Sequence, residues 1–358
     1  MMKEYNEELG ALIKVWIVAI LCISYCYLIP MRMIKKNAMS RLISLLPVIT
    51  IFFILPLPFT TVHLSFVVFF YLTWLANFKL LLLAFNRGPL APTPPLPFFV
   101  FVSVAMLPID LKHSPNQKKK IDPAPAPVPA HKPFILAFKA IILNIIVDFY
   151  KYKHKLHPNV ILALYKGHIF LTVELGLTIT AFFLMIFLGF DLEIEPQFNE
   201  PLLATSLQDF WGRRWNLVSS RNLRAVVYNP TREILTPTFG KLRSQQLAIC
   251  VTFLVSGLMH ELLFLYITRV QPTWEVTWFF VLHGVCTAVE VGVKKTVAGR
   301  LGFMHRAVSW LLTVSFVMVT AVWLFWPLLL RNGVCDKVIN EYSVMVNFVM
   351  SKCMGMKA

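Results

Sequence analysis

Hydrophobic residues run in long blocks along this chain, separated by short polar or basic stretches. A helix needs about 20 mostly apolar residues to cross a bilayer core. Runs at 11–29, 42–57, 64–85, 134–150, 160–188, 246–267, 274–293 and 308–330 approach or exceed that length. Two weaker runs, 98–107 and 338–350, are short enough to predict re-entrant or interfacial helices. The pattern predicts an all-α polytopic membrane protein, eight to ten helices around an internal chamber, forming a single domain over residues 1–358. The run at 160–188 exceeds one ideal span, which predicts a tilted helix or a break near Gly176.

Two stretches depart from this pattern. Residues 110–133 carry Lys118, Lys119 and Lys120, followed by prolines at 123, 125, 127, 129 and 133. Alternating proline cannot sustain a helix and favours extended chain, so a disordered loop without a catalytic role is expected. Residues 191–245 are dense in polar and aromatic groups and predict a cytosolic or interfacial amphipathic segment within the domain.

Charge orients the chain. Glu4, Glu7 and Glu8 precede the first run, while Arg32, Lys35, Lys36 and Arg41 follow it. Lys and Arg in short loops mark the cytosolic side. The N-terminus is therefore expected in the lumen, with the first loop, 213–243, Lys294, Lys295, Arg300 and Arg306 facing the cytosol. The run at 134–150 has basic residues on both sides, so the rule leaves its topology open. The first run lacks a basic n-region and a cleavage site, which reads as a retained helix and not a signal peptide.

Composition narrows the class further. Only 15% of the 358 residues are charged, against about 25% in a soluble domain. The net charge of +16 suits anionic lipid or an anionic substrate. The basic residues flank apolar runs and form no single face, which argues against nucleic acid. Of six cysteines, four (Cys22, Cys26, Cys250 and Cys286) lie in apolar runs and none forms a CxxC pair, so neither a disulfide framework nor a zinc site is expected.

Candidate chemistry centres on His260, inside the apolar run 246–267 and followed by Glu261. An ionisable side chain at the bilayer centre costs roughly 2.5–3.5 kcal/mol on insertion scales. Such a residue needs a partner, a cavity or a function. A histidine can simply bond to a neighbouring helix. It can also act as a general base, if it reaches the proton it removes. Ser256, one turn earlier, and Glu261 give it polar company. In the next run His283 is followed by Thr287 and Glu290 at helical spacing, a polar stripe that either supports His260 or holds helices together. The other seven histidines, His168 the least typical, fall near run ends or in loops and are expected to be solvated.

The segment 197–216 supplies further candidates: Asn199, Asp209, Trp211, Trp215 and Asn216. On one helix Asp209 and Asn216, seven apart, would share a face, as would Trp211 and Trp215, four apart. Tryptophan and arginine also suit a plain interfacial anchor, but an anchor has no need of Asn199, Asp209 and Asn216. Asp209 is expected to orient Arg213 or the aromatic rings. Arg213, Arg214, Arg221 and Arg224 are candidates for holding phosphates by bidentate contact. The nucleophile elbow, the P-loop, the dinucleotide fingerprint, HExxH and HxxxD are all absent. A histidine without a nucleophile or metal suits base-assisted direct transfer to an acceptor.

These motifs resemble the plant wax synthases, a branch of the membrane-bound O-acyltransferases. The resemblance covers most of the chain and rests on residues 74–82, 196–216, 256–261 and 274–290. It implies an endoplasmic-reticulum enzyme that joins an acyl-CoA to the hydroxyl of a lipid alcohol, with no cofactor because acyl-CoA is a substrate. Asn216 matches the superfamily's Asn site and His260 its membrane histidine. A long-chain fatty alcohol, giving a wax ester, is the leading acceptor. A sterol, or acetylation of diacylglycerol, is the alternative within the same branch. A lipid transporter with His260 and Glu261 as a proton relay is the alternative outside it, although the paired repeats common in transporters are missing. Neither the acyl length nor the oligomeric state follows from the sequence.

Overall fold

The computed structural model describes residues 2–28, 37–92, 94–108, 133–188, 198–297 and 305–353. Among these every regular element is helical. The long helices are α1 (Met2–Leu28), α2 (Ala38–Ile54), α3 (Val62–Ala84), α4 (Phe98–Met106), α5 (Pro133–Phe149), α6 (Pro158–Leu188), α7 (Leu217–Thr268), α8 (Glu275–Val297), α9 (Arg306–Arg331) and α10 (Val334–Cys353). α7 is two helical stretches joined by a kink at Gly240, whose φ of 73° and ψ of 169° are not helical. Six of them, α1, α3, α6, α7, α8 and α9, contain a segment long and apolar enough to cross a bilayer. α2 is a shorter apolar helix. α6 runs unbroken past Gly176, so the break expected there is not formed. Of the loop expected over 110–133, residues 110–132 lie outside the described residues and Pro133 begins α5; residues 191–197 and Arg300 also lie outside them.

The centre of the bundle is α3. The apolar spanning stretch of α3 is 83% buried, whereas that of α9 is 17% buried, so α3 is wrapped by protein and α9 lies at the periphery. Between Phe69 and Ala76 the ladder of α3 widens into π turns, and all eight residues there are buried. Polar side chains pin α3 to its neighbours, as expected where no water competes. The Thr73 hydroxyl donates to the Phe52 carbonyl at 2.6 Å. Lys79, 1% exposed, donates to the carbonyls of Val104 and Leu107. That buried cation satisfies the carbonyls left open where α4 ends inside the protein, which explains how so short an apolar helix is accommodated.

Charged side chains gather at both ends of the bundle. At one end Glu8 accepts from the backbone and hydroxyls of Thr60 and Thr61, and Glu341 accepts from the backbone of Val62 and His63. Two carboxylates thus meet the start of α3, where free N–H groups favour anions. His63 bonds Glu341 through Nδ1 at 2.7 Å and is not solvated, which corrects the sequence expectation. Arg269 and the Arg331–Glu275 pair lie at the same end. At the other end lie Arg41 on the Ala84 carbonyl, Arg87 on Glu233, and Lys295 on Gln245.

His168 also departs from expectation. It is 2% exposed, stacked on Tyr150 with ring centroids 5.7 Å apart, and its Nδ1 lies 3.3 Å from the Tyr150 hydroxyl.

Candidate active site

The site is built where α7 and α8 pack. Gly257 and Gly284 permit the close approach. A Cβ on Gly257 would lie 3.0 Å from the Thr277 Cα, and one on Gly284 would lie 2.7 Å from the Phe253 Cβ. Small residues at such contacts let membrane helices approach backbone to backbone.

This packing seats His260 among aromatic rings. Phe280 stacks on its imidazole at 4.3 Å and 27°. Trp74 of α3 meets it edge to face at 5.2 Å and 90°, and Phe325 of α9 lies 6.2 Å away. His260 Nδ1 is 2.7 Å from the Ser256 carbonyl one turn back. A carbonyl only accepts, so Nδ1 must carry the hydrogen and Nε2 must hold the lone pair. Nε2 makes no hydrogen bond among the described residues. His260 is therefore half-buried, in the tautomer a base needs, with its basic nitrogen open. It lies nine residues before Arg269, about 13 Å along the helix.

Glu261 does not join it. Successive helical residues diverge by about 100°, and the buried Glu261 carboxylate accepts from the Thr277 N–H at 3.1 Å, in the first turn of α8. It works as a helix cap between α7 and α8. The pairing of His260 with Glu261 as a relay is not formed.

His283 is fully buried. Its Nδ1 is 2.8 Å from the Phe279 carbonyl, the same arrangement as at His260, but its Nε2 lies 3.3 Å from the Thr320 hydroxyl of α9. Trp211, Phe279 and Phe316 surround it at 5.4, 4.1 and 5.1 Å. The predicted stripe with Glu290 separates. Thr287 returns its hydroxyl to the His283 carbonyl, while Glu290 accepts from the backbone of Leu207 at 2.8 Å and from Lys294.

The segment before α7 is not one amphipathic helix. Ser206 caps a single turn, Leu207–Asp209. A wide π turn follows over Phe210–Arg214, closed by the Trp215 N–H on the Phe210 carbonyl. Trp215 is extended and Asn216 is left-handed, with φ 39°. Asp209 and Asn216 therefore share no helical face. The cause is local capping chemistry: serine and asparagine side chains compete with the backbone ladder and start new helices. Asn216 Oδ1 accepts from the Ser219 N–H and caps α7. Trp211 and Trp215 still meet, with centroids 6.3 Å apart, and Trp215 stacks on Phe210.

One ion pair ties this knot together. Asp209 Oδ2 is 2.6 Å from Arg214 Nε, both about one-fifth exposed. Arg214 Nη1 reaches the carbonyls of Asn199 and Glu200, and the Asn199 N–H donates to the Arg214 carbonyl. Asp209 thus orients Arg214 and not Arg213, and Asn199 contributes backbone groups. Of the phosphate candidates, Arg214 is committed to this knot, and Arg213 and Arg224 are exposed. Arg224 lies over the Tyr228 ring at 5.7 Å. Arg221 is half-buried. No described contact brings Asn216 against His260; between them lie Trp215, Trp211 and Phe280 in successive ring contacts.

Residues 194–282 match the model of the membrane bound O-acyl transferase family. Over 355 residues the chain is 47% identical to the probable long-chain-alcohol O-fatty-acyltransferase 6 of Arabidopsis thaliana, covering 97% of this chain and 96% of that protein. It is 45% identical to the long-chain-alcohol O-fatty-acyltransferase of Simmondsia chinensis, covering 99% of both, and 42% identical to the acyl-CoA–sterol O-acyltransferase 1 of Arabidopsis thaliana, covering 96% and 97%. The chain belongs to the wax synthase branch of the membrane-bound O-acyltransferases.

The family match spans the Asp209–Arg214 knot, Asn216 and His260, and ends one residue before His283. Trp74, Phe280, Phe325 and Thr320 lie against the two histidines without having been singled out as site residues. Phe280 lies one turn after Thr277 on the same face of α8 and could have been read from helical spacing. Trp74, on a distant segment, carried no such local signal.

Proposed function

We propose that this wax synthase family member transfers a fatty acyl group from acyl-CoA to the hydroxyl of a long-chain fatty alcohol, giving a wax ester, in the endoplasmic-reticulum membrane. The observation that carries the reading is the open Nε2 of His260, fixed as an acceptor by the Nδ1 bond to Ser256. Nε2 takes the hydroxyl proton as the alcohol oxygen bonds to the thioester carbonyl carbon. The carbon–sulfur bond then breaks, and the same proton passes to the leaving sulfur. The products are an ester and the coenzyme A thiol. The aromatic surroundings keep out water, which would otherwise compete as the acceptor.

In this reading Asn216, separated from His260 by three rings, meets the coenzyme A portion of the donor and not the thioester carbonyl. Its carboxamide oxygen is committed to the cap, which leaves the NH2 group as a donor. Arg213, Arg221 and Arg224 meet the coenzyme A phosphates. Arg214 and Asp209 hold the loop that carries Trp211, Trp215 and Asn216. A sterol acceptor is the second reading, favoured by the 42% identity to a sterol acyltransferase over nearly the full chain.

Expression in yeast lacking its own neutral-lipid acyltransferases, with hexadecanol supplied, separates the two readings. Wax esters are the expected product. Steryl esters without wax esters would replace the acceptor. No new ester, with the protein present in membranes, would overturn acyl transfer.

A further inference from the structure

Two buried indole N–H groups beside the histidines have no acceptor among the described residues: Trp74 Nε1 and Trp211 Nε1. A buried donor left unpaired costs about 1–3 kcal/mol, and each such group in a folded protein calls for an explanation. Trp211 stands against His283, whose Nε2 is already engaged. Trp74 stands against His260, whose Nε2 is open.

Three independent features mark Trp74. It is only 3% exposed, so its unpaired N–H is not explained by water on a surface. It sits in the π-turn segment Phe69–Ala76, a widening of the helical ladder that often accompanies functional sites. It is also in edge-to-face ring contact with His260, and it comes from α3, the most enclosed spanning helix.

We propose that Trp74 is a catalytic residue whose indole N–H donates to the thioester carbonyl oxygen and stabilises the negative charge that develops there. This rests on the reading of His260 as the base. The chemistry selects the carbonyl oxygen over the alcohol oxygen. An indole N–H is a donor only. A donor on the attacking alcohol oxygen would draw off the electron pair that must reach the carbonyl carbon. On the carbonyl oxygen the same donor strengthens as charge accumulates, which is the requirement for lowering the barrier. In the step, His260 Nε2 removes the hydroxyl proton and the alcohol oxygen bonds to the carbonyl carbon. The C=O electron pair moves onto oxygen beside the Trp74 N–H. When it returns, the carbon–sulfur bond breaks, and sulfur takes the proton from His260.

The test is coenzyme A release by membranes containing the full chain, with acyl-CoA and hexadecanol varied, for wild type, Trp74→Phe and His260→Ala. Trp74→Phe keeps an aromatic ring and removes the donor. Its kcat should fall about 100-fold, as for loss of one oxyanion donor, with both KM values within about threefold. Replacing Trp74 by 3-benzothienylalanine, which has sulfur in place of the N–H in a ring of the same shape, should give the same loss, and it decides the matter if Trp74→Phe fails to accumulate. Wild-type kcat in the benzothienyl variant, or a change confined to KM, would overturn the proposal for Trp74. Wild-type kcat in His260→Ala would instead overturn the base on which it rests.

Discussion

His260 and His283 are held alike and left in opposite states. Each sits on a spanning helix, and each donates from Nδ1 to the carbonyl four residues back. The difference is at the other nitrogen. His283 is fully buried with Nε2 against Thr320, whereas His260 is half-buried with Nε2 unbonded among the described residues. The backbone bond sets the tautomer in both, so the tautomer alone does not make a base. Access does. His283 joins α8 to α9 and supports Trp211, while His260 can meet a substrate proton.

The largest effect that would break this comparison lies at His260. His260→Ala should lower kcat by roughly 10³-fold, within the range for losing a general base, while the protein still inserts; coenzyme A release in membranes matched for protein content measures it. The loop comes next. Asp209→Asn and Arg214→Met should each lower kcat by about tenfold, and the double variant should lose no more than either single one. A double-mutant cycle on initial rates tests that, and additive losses would mean that the pair does not act as a unit. His283→Ala should cost a similar or smaller factor, about tenfold or 1.4 kcal/mol. Its companion His283→Gln should recover much of the loss, because a carboxamide can still bond Thr320. The smallest effect belongs to packing. Gly284→Ala puts a Cβ 2.7 Å from Phe253 and should lower stability by about 1–3 kcal/mol, read as an earlier thermal transition in detergent.

The spans were legible in the sequence because a bilayer demands length and apolarity, and both are counted directly. His260 was legible because a lone histidine in an apolar run is costly. The segment around Asp209 was misread, since helical spacing predicts shared faces only where the helix is continuous. Ser206 and Asn216 are caps, and between them the chain turns twice. Glu261 and Glu290 looked like company for the histidines and are instead clamps on the backbones of Thr277 and Leu207. Trp74 was beyond reach because its contact with His260 joins segments 186 residues apart, and periodicity carries no information across that distance.

Chemical rescue tests His260 as the base most directly. Imidazole added to membranes bearing His260→Ala supplies a mobile base to the space left by the side chain. The expected result is coenzyme A release that rises with imidazole in His260→Ala and stays flat in His283→Ala. Wild-type release by His260→Ala without imidazole, or equal rescue of both variants, would contradict the assignment of His260 as the base.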